Sequence, residues 1–329
     1  MRACAHRPAA ASLAAVAFGA VLVAAGAFEA PEGRRRRYRL RAQEPAGPAL
    51  RRALDGRYAE AIGALEHRRF ATERHVHDAR TAVKRLRSAL RLARDELGEG
   101  TYREQTAILR AAARPLGASR DATALAATLA SLAERFTAEV EPSELARVRR
   151  RLEREDAGAH DGVDAAARTA LDRLRDGRDG LAAGGGTLDA VTLATLRRAL
   201  RRSYRRGRAA RRRAARTPSV ENLHAWRRRV KDLRHHAELL READPHALRR
   251  VRRRARRLSD LLGDDHDLAV LRERAASCPV TLALIDRRRR ELQEAAFELG
   301  ERLYARPPKR FARRALRRAR RNTAWRSRR

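Results

Sequence analysis

Apolar residues recur at spacings of three and four from about Tyr38 onward, as expected for helices that bury one face. Ala, Leu, Arg and Glu dominate this part of the chain, and it has no alternating run of the kind typical of strands. Gly and Pro divide it at 98–100, 115–117, 184–186, Pro218, Pro245 and Gly263. The pattern predicts an all-α protein, with the glycine triplet at 184–186 as a mid-chain hinge.

Two predicted helices, one on each side of this hinge, carry the same motif, H-x-x-R-x-x-x-K-x-L-R. In the first copy its polar positions are His77, Arg80, Lys84 and Arg87. In the second copy, 147 residues later, they are His224, Arg227, Lys231 and Arg234. A Leu-Gly pair follows each copy, at 116–117 and again 146 residues later at 262–263. Two motifs in one order at a nearly constant offset indicate a tandem duplication.

The motif spacing places its polar side chains on one face of each helix. Offsets of 0, 3, 7 and 10 residues fall within an arc of about 80° and span about 15 Å. Apolar positions such as Val83 and Leu86, or Trp226 and Val230, lie on another face. Solvated helix faces usually mix acids with bases, whereas neither stripe includes an acid. We therefore interpret the two stripes as an anion-binding surface.

The Leu-Gly pairs have a structural interpretation. Gly117 and Gly263 suit the left-handed residue that follows a helix end. The aspartates Asp121 and Asp267, or the Ser119 and Asp265 before them, suit the N-cap of the next helix.

Basic residues near these pairs extend the candidate surface. Arg110 matches Arg256 at the offset of 146, whereas Arg114 matches an aspartate, Asp260. Capping requires no cation at Arg120, so this side chain could face the stripes, although the second copy has His266 in its place.

Charge points to the same kind of partner. The chain has 77 Lys and Arg against 41 Asp and Glu, a formal net charge of +36. Such an excess is typical of proteins that meet a nucleic acid, an anionic membrane or a phosphate polymer. Most cations are Arg, whose planar fork matches phosphate oxygens. Aromatic residues are only 4% of the chain, which disfavours binding by base stacking, and Cys4 and Cys278 form no disulfide or metal motif.

The two ends of the chain differ from its middle. Residues 1–33 contain an uncharged, Ala-rich run at 9–28, which indicates a signal peptide, a weak membrane anchor or a start codon placed too far upstream. The arginine block at 34–37 favours a cytoplasmic location, with export or anchoring through residues 1–30 as the alternative. The basic tail, residues 305–329, has twelve Lys or Arg from Arg306 onward and no acid, which predicts a solvated, partly disordered arm.

The repeated motifs resemble those of the CHAD family, the conserved histidine α-helical domain. The resemblance covers about residues 38–304 and rests on the segments at 76–87, 119–121, 223–234 and 261–267. It implies a tandem pseudo-symmetric pair of antiparallel four-helix bundles with a basic groove. We place this domain at 34–304, with a first repeat at about 38–183 and a second at about 188–304. No E-x-E-x-K motif indicates an accompanying CYTH domain, so the chain resembles a stand-alone member.

The resemblance also implies binding of long-chain inorganic polyphosphate through His, Arg and Lys side chains, often at polyphosphate granules. The predicted binding residues are His77, Arg80, Lys84, Arg87, Arg110, Arg114, Arg120, His224, Arg227, Lys231, Arg234 and Arg256. We expect the imidazoles of His77 and His224 to be neutral, because neighbouring cations lower their pKa.

Two other functions are alternatives to polyphosphate binding. A sequence-nonspecific nucleic-acid-binding protein would use the same charge, although no helix-turn-helix, zinc-finger or RNA-recognition motif occurs. A metal-dependent phosphohydrolase could use the Asp-Asp-His-Asp run at 264–267, but no H-E-x-x-H motif, phosphate loop or nucleophile elbow is present. We expect a non-enzymatic protein without metal or cofactor.

Overall fold

A computed structural model describes residues 38–66, 73–116, 121–157, 163–321 and 325. Throughout these ranges the chain forms helices and no strand, so the prediction of an all-α fold is confirmed. None of the helices in this part of the chain is both long enough and apolar enough to cross a membrane. The leader at 1–33 and the candidate residue Arg120 lie outside the described residues.

Eleven α-helices are described. Those of the first half are α1 (Ala46–Glu66), α2 (Glu73–Leu97), α3 (Glu99–Ala113), α4 (Asp121–Arg135), α5 (Pro142–Ala157) and α6 (Val163–Gly184). A short 3-10 helix, Gly185–Ala190, occupies the predicted hinge. Those of the second half are α7 (Leu193–Arg216), α8 (Val220–Leu239), α9 (Pro245–Arg274), α10 (Pro279–Tyr304) and α11 (Pro308–Ala315).

The helix starts repeat at the same offset as the motifs. Helices α1 and α7 begin 147 residues apart, α2 and α8 also begin 147 apart, and α3 and α9 begin 146 apart. In the second half, the side chains of Thr192, Ser219 and Asp244 accept hydrogen bonds from backbone N–H groups of the first turn. The duplication inferred from the motifs therefore includes the helices that carry them, since their starts repeat at the same offset.

Helix contacts define two groups of four. Helices α1, α2, α3 and α6 close one ring of contacts, and α7, α8, α9 and α10 close another. Helix α2 packs against both α7 and α8 and so joins the two groups. The buried side chains do not divide by repeat: one large core runs through both groups, and a smaller one joins α4 and α5 to α9 and α10. Antiparallel order and pseudo-symmetry stay predictions.

The second Leu-Gly pair does not end a helix. Helix α9 runs without a break through Gly263 to Arg274, so the predicted left-handed glycine and the N-cap role of Asp265 and Asp267 are wrong. Instead, buried Asp265 accepts hydrogen bonds from Arg289 Nε at 3.1 Å and Gln293 Nε2 at 2.8 Å. Glycine costs about 1 kcal/mol inside a helix, which the packing of so long a helix can outweigh. In the first copy, α4 begins at Asp121, and residues 117–120 lie outside the described part.

The basic tail is folded where it is described, and the predicted solvated arm is wrong there. Helix α11 buries Phe311 and Ala315 on one face, and the Phe311 ring stacks on Tyr204 of α7 with centroids 3.8 Å apart. Farther along, buried Trp325 donates its indole N–H to the carbonyl oxygen of Arg41 at 3.1 Å. These few apolar positions at helical spacing are enough to fix the tail on the body of the protein.

Replacing Phe311 with Ala is expected to destabilise the protein by about 3 kcal/mol, because the stacked, buried ring is lost. The measurement is the free energy of unfolding from urea denaturation. Lys309→Ala, at an exposed position of the same helix, serves as the control and should change this free energy by less than about 0.5 kcal/mol. Equal stability of both variants would show that the tail does not pack on α7.

Candidate anion-binding site

The two stripe helices pack on each other through buried contacts. The predicted apolar faces are buried, including Val83 on α2 and Trp226 on α8. Beyond them, Ser88 Oγ donates a hydrogen bond to the carbonyl oxygen of Asp232 at 3.3 Å. His236 Nε2 lies 2.8 Å from the carbonyl oxygen of Ser88. These buried polar contacts fix the position of α2 along α8 and therefore the position of one stripe beside the other.

The stripes meet at Lys84 and Lys231. Burial first, and then the like charges of Arg227, Lys84 and Arg234 in that order, lower the pKa of Lys231 from its ordinary value to about 7. Lys84 is exposed and belongs to the first stripe, whereas Lys231 is half-buried and belongs to the second. The duplicated helices therefore place their cations close enough to repel one another.

A pair of imidazoles lies beside this meeting point. The rings of His224 and His266 are 4.6 Å apart. Burial lowers the pKa of His224 to about 4, and the neighbouring His266 and several cations add to this effect. The pKa of His266 is lowered too, first by burial and then by Arg227. The expectation of a neutral His224 agrees with this direction, but burial is the larger cause.

Each arginine of the H-x-x-R motif lies next to one residue of the Leu-Gly pair of its own repeat, Arg80 at Leu116 and Arg227 at Gly263. Arg80 Nη1 donates a hydrogen bond to the carbonyl oxygen of Leu116 at 2.9 Å. In the second repeat, a Cβ placed on Gly263 would lie 2.9 Å from Arg227 Nη2. Gly263 therefore provides room for the Arg227 guanidinium, which links the two motifs of the second copy.

The other predicted residues divide between the stripes and their surroundings. His77 and Arg87 are half-buried on α2, and burial followed by the charges of Arg91 and Arg110 lowers the pKa of Arg87. Arg110 on α3 and Arg114 directly after it are exposed. Arg110 thus approaches the first stripe.

Arg256 is placed differently. Its Nε lies 3.8 Å from Asp260 Oδ2, one turn farther along α9, and an ion pair of this kind is common on solvated helix faces.

An enclosed cleft continues from the end of the second stripe. Arg234 and His235 line it together with three arginines that are not motif positions: Arg57, Arg85 and Arg252. Glu60 binds two of these arginines, with distances of 2.6 Å to Arg57 and 3.2 Å to Arg85. These residues belong to four helices and share no spacing, so only the folded chain brings them together.

Carboxylates also approach the stripes. Arg91 Nη1 lies 2.7 Å from Asp232 Oδ1, next to Arg87, and Asp267 raises the pKa of Lys231. Burial raises the pKa of Asp264 to about 6, with Asp267 and Asp260 contributing. No three His, Cys, Asp or Glu side chains of the described residues are placed to hold a metal ion together.

The lowered pKa of Lys231 can be measured directly, because the chain contains only three lysines, Lys84, Lys231 and Lys309. In NMR spectra of protein with ¹³C-labelled lysine, the signal that disappears in Lys231→Arg should titrate near pH 7. The cause is burial beside like charges. Titration of that signal near pH 10 would contradict the close approach of the two stripes.

Comparison with known proteins agrees with the motifs and the fold. A sequence model of the family described as "CHAD domain" matches residues 63–276, more than half of the chain. No curated protein matches the chain at a significant level. A solved structure, the crystal structure of the CHAD domain from the plant Ricinus communis, is similar with a TM-score of 0.54 and 19% sequence identity. The similarity covers 85% of this chain and 94% of that chain, and at this identity it shows the fold alone. By the extent of the matched sequence, the chain belongs to the CHAD domain family.

Proposed function

We propose that this protein binds inorganic polyphosphate in the groove where the stripes of α2 and α8 meet. One observation carries the proposal: cations of both stripes surround half-buried Lys231, so that after burial the charges of Arg227 and then of Lys84 lower its pKa. Like charges that repel in the free protein are stabilised when an anion lies between them. Binding of an anion therefore relieves a repulsion between cations that the folded protein has before the ligand is present.

The arrangement suits a linear chain of phosphates. Each stripe extends about 15 Å along its helix, long enough to contact several linked phosphates. Arg80 is held by its hydrogen bond to the carbonyl oxygen of Leu116, which limits the freedom that its side chain loses on binding. A single flexible chain can follow one stripe and continue along the other.

In this proposal the imidazoles of His224 and His266 act as neutral hydrogen-bonding groups. His224 has a pKa of about 4, so it carries no charge at neutral pH. The Nδ1 atoms of His224 and His266 are buried and have no hydrogen-bond partner in the described part of the chain. A phosphate oxygen or a phosphate-bound water in the groove would satisfy them.

Binding rather than catalysis is the activity that we propose. His224, with a pKa of about 4, is itself a poor general base, because a general base works best with a pKa near the working pH. Incubation of the protein with polyphosphate and divalent cations should release no phosphate above the background; release that depends on the protein would overturn this part of the proposal. In cells we expect a fluorescent fusion to collect at polyphosphate granules.

The central test removes charge from the meeting point. The triple variant Lys84→Gln, Arg227→Gln and Lys231→Gln should bind immobilised long-chain polyphosphate about 100-fold more weakly, because three charge-assisted contacts are lost at about 1 kcal/mol each. The matched control removes three exposed arginines elsewhere, Arg168, Arg173 and Arg290, also as Gln.

The control equals the variant in net charge, so the two separate the place of binding from general attraction. Circular dichroism checks that both retain their helices. Equal loss of polyphosphate affinity in the two proteins would show that the groove is not the site.

A second prediction concerns Gly263. Gly263→Ala should leave the protein as stable or up to about 1 kcal/mol more stable, because alanine favours the helix. The same variant should lower polyphosphate affinity about tenfold, since the new methyl group displaces the Arg227 guanidinium.

Gly100→Ala is the control, because a Cβ at Gly100 in α3 meets nothing within 4 Å. Thermal unfolding and the polyphosphate binding assay give the two quantities. Unchanged affinity in Gly263→Ala would remove Arg227 from the site.

A further inference from the structure

Helix α11 borders two cationic clefts that the stripes do not include. One cleft is lined by Arg205, Arg208, Arg212 and Arg216 of α7 together with Pro308. Their offsets of 0, 3, 7 and 11 residues fall within an arc of about 80° and span about 16 Å. These four arginines form the first row of what we call the tail surface.

The second row includes two arginines of α11 itself. Arg250 and Arg254 of α9 line a cleft with Arg310 and Arg314 of α11. No Asp or Glu lines either cleft. Phe311 also borders the second cleft, but its ring is buried against Tyr204, and this contact holds α11 in place.

The arginines of both rows are available to a ligand. All eight are exposed or half-exposed, and none forms an ion pair with a described carboxylate. Nearer the start of α7, by contrast, Arg198 pairs with Glu96 and Arg202 pairs with Asp95. Eight unpaired cations on one surface repel one another unless an anion neutralises them.

The tail surface is separate from the groove. On α9, Arg250 and Arg254 lie about 120–180° around the helix from Gly263 and His266, which face the second stripe, and roughly 20 Å along it. The tail surface is also absent from the first repeat. At an offset of 147, Arg205 corresponds to Tyr58, which is fully buried. The duplication therefore does not account for this surface.

We propose that the tail surface binds the phosphate backbone of duplex nucleic acid, without reading its sequence. The first row lies on α7 and the second on α9 and α11, so the cations form two lines rather than one. A duplex presents two phosphate strands along the borders of its major groove, and each row can meet one of them. A duplex presents its two phosphate strands at a fixed separation, whereas a polyphosphate chain presents one flexible line of phosphates.

Two other anionic partners fit the surface less well. Single-stranded nucleic acid is usually held by bases stacked on exposed aromatic rings, and neither cleft offers one. Membrane surfaces are bound by an exposed apolar face beside the cations. Val220 and Val280 are the exposed large apolar side chains of the described residues, and neither lines the clefts.

The test uses the full-length protein and a labelled duplex of mixed sequence, about 20 base pairs or two helical turns long. The tail-surface variant carries Arg208→Gln, Arg212→Gln, Arg250→Gln and Arg254→Gln, all outside α11 so that the packing of α11 is kept. The control carries four Gln substitutions at exposed arginines elsewhere, Arg150, Arg168, Arg173 and Arg290. Fluorescence anisotropy over a series of salt concentrations gives the affinity and its salt dependence.

We expect the tail-surface variant to bind the duplex at least about tenfold more weakly than the control. Loss of four phosphate contacts should also reduce the slope of log affinity against log salt by about 3 to 4. Equal affinity and slope in the two variants would overturn the proposal, as would a larger loss for single-stranded DNA or anionic vesicles than for the duplex.

The polyphosphate proposal for the groove and the duplex proposal for the tail surface can be disproved independently. The triple groove variant should keep its affinity for the duplex, and the tail-surface variant should keep its affinity for polyphosphate. Loss of polyphosphate rather than duplex binding in the tail-surface variant would assign this surface to polyphosphate and overturn the duplex proposal alone.

Discussion

Packing of α2 against α8 is the interaction on which the groove depends. Left to electrostatics alone, Lys84 and Lys231 would move apart, since Lys84 is among the like charges that add to burial in lowering the pKa of Lys231. Apolar contacts oppose this repulsion, since a fully buried Leu or Val contributes roughly 1.5–3 kcal/mol and both helices bury several. The buried contacts of Ser88 with Asp232 and His236 then fix which residues face each other. Stability thus comes from the interior, and the surface can be arranged for an anion.

Local periodicity was enough to predict the helices, the stripes and the duplication, because these properties depend on residues within a few turns of one another. It was not enough for Gly263. The same Leu-Gly letters precede a new helix start at Asp121 in one repeat and lie inside a continuous helix in the other, and packing around α9 decides between them. Tail folding was missed for a related reason. Phe311 is one aromatic residue among many cations, and its partner Tyr204 lies about a hundred residues away in the chain.

The large excess of arginine serves more than one purpose. Some arginines join helices, as Arg91 does by binding Asp232 and as Arg39 does by binding Glu238 across the two halves. Others have no carboxylate near them and collect in rows. Composition cannot separate these uses, because the same residue type fills all of them. What separates them is whether the fold brings an acid within reach, and this depends on the relative positions of several helices.

Lys231 has a consequence for covalent chemistry. An ordinary lysine with a pKa near 10.4 is almost entirely an ammonium ion at neutral pH, whereas a pKa of about 7 leaves about half of the Lys231 side chains as the free amine. Free amines are nucleophiles, so acylating reagents that react slowly with ordinary, protonated lysines would modify Lys231. Acylation would remove its charge for good, and an anion bound in the groove would protect it by restoring the ammonium form. The rate at which Lys231 is acylated would therefore show whether an anion occupies the groove.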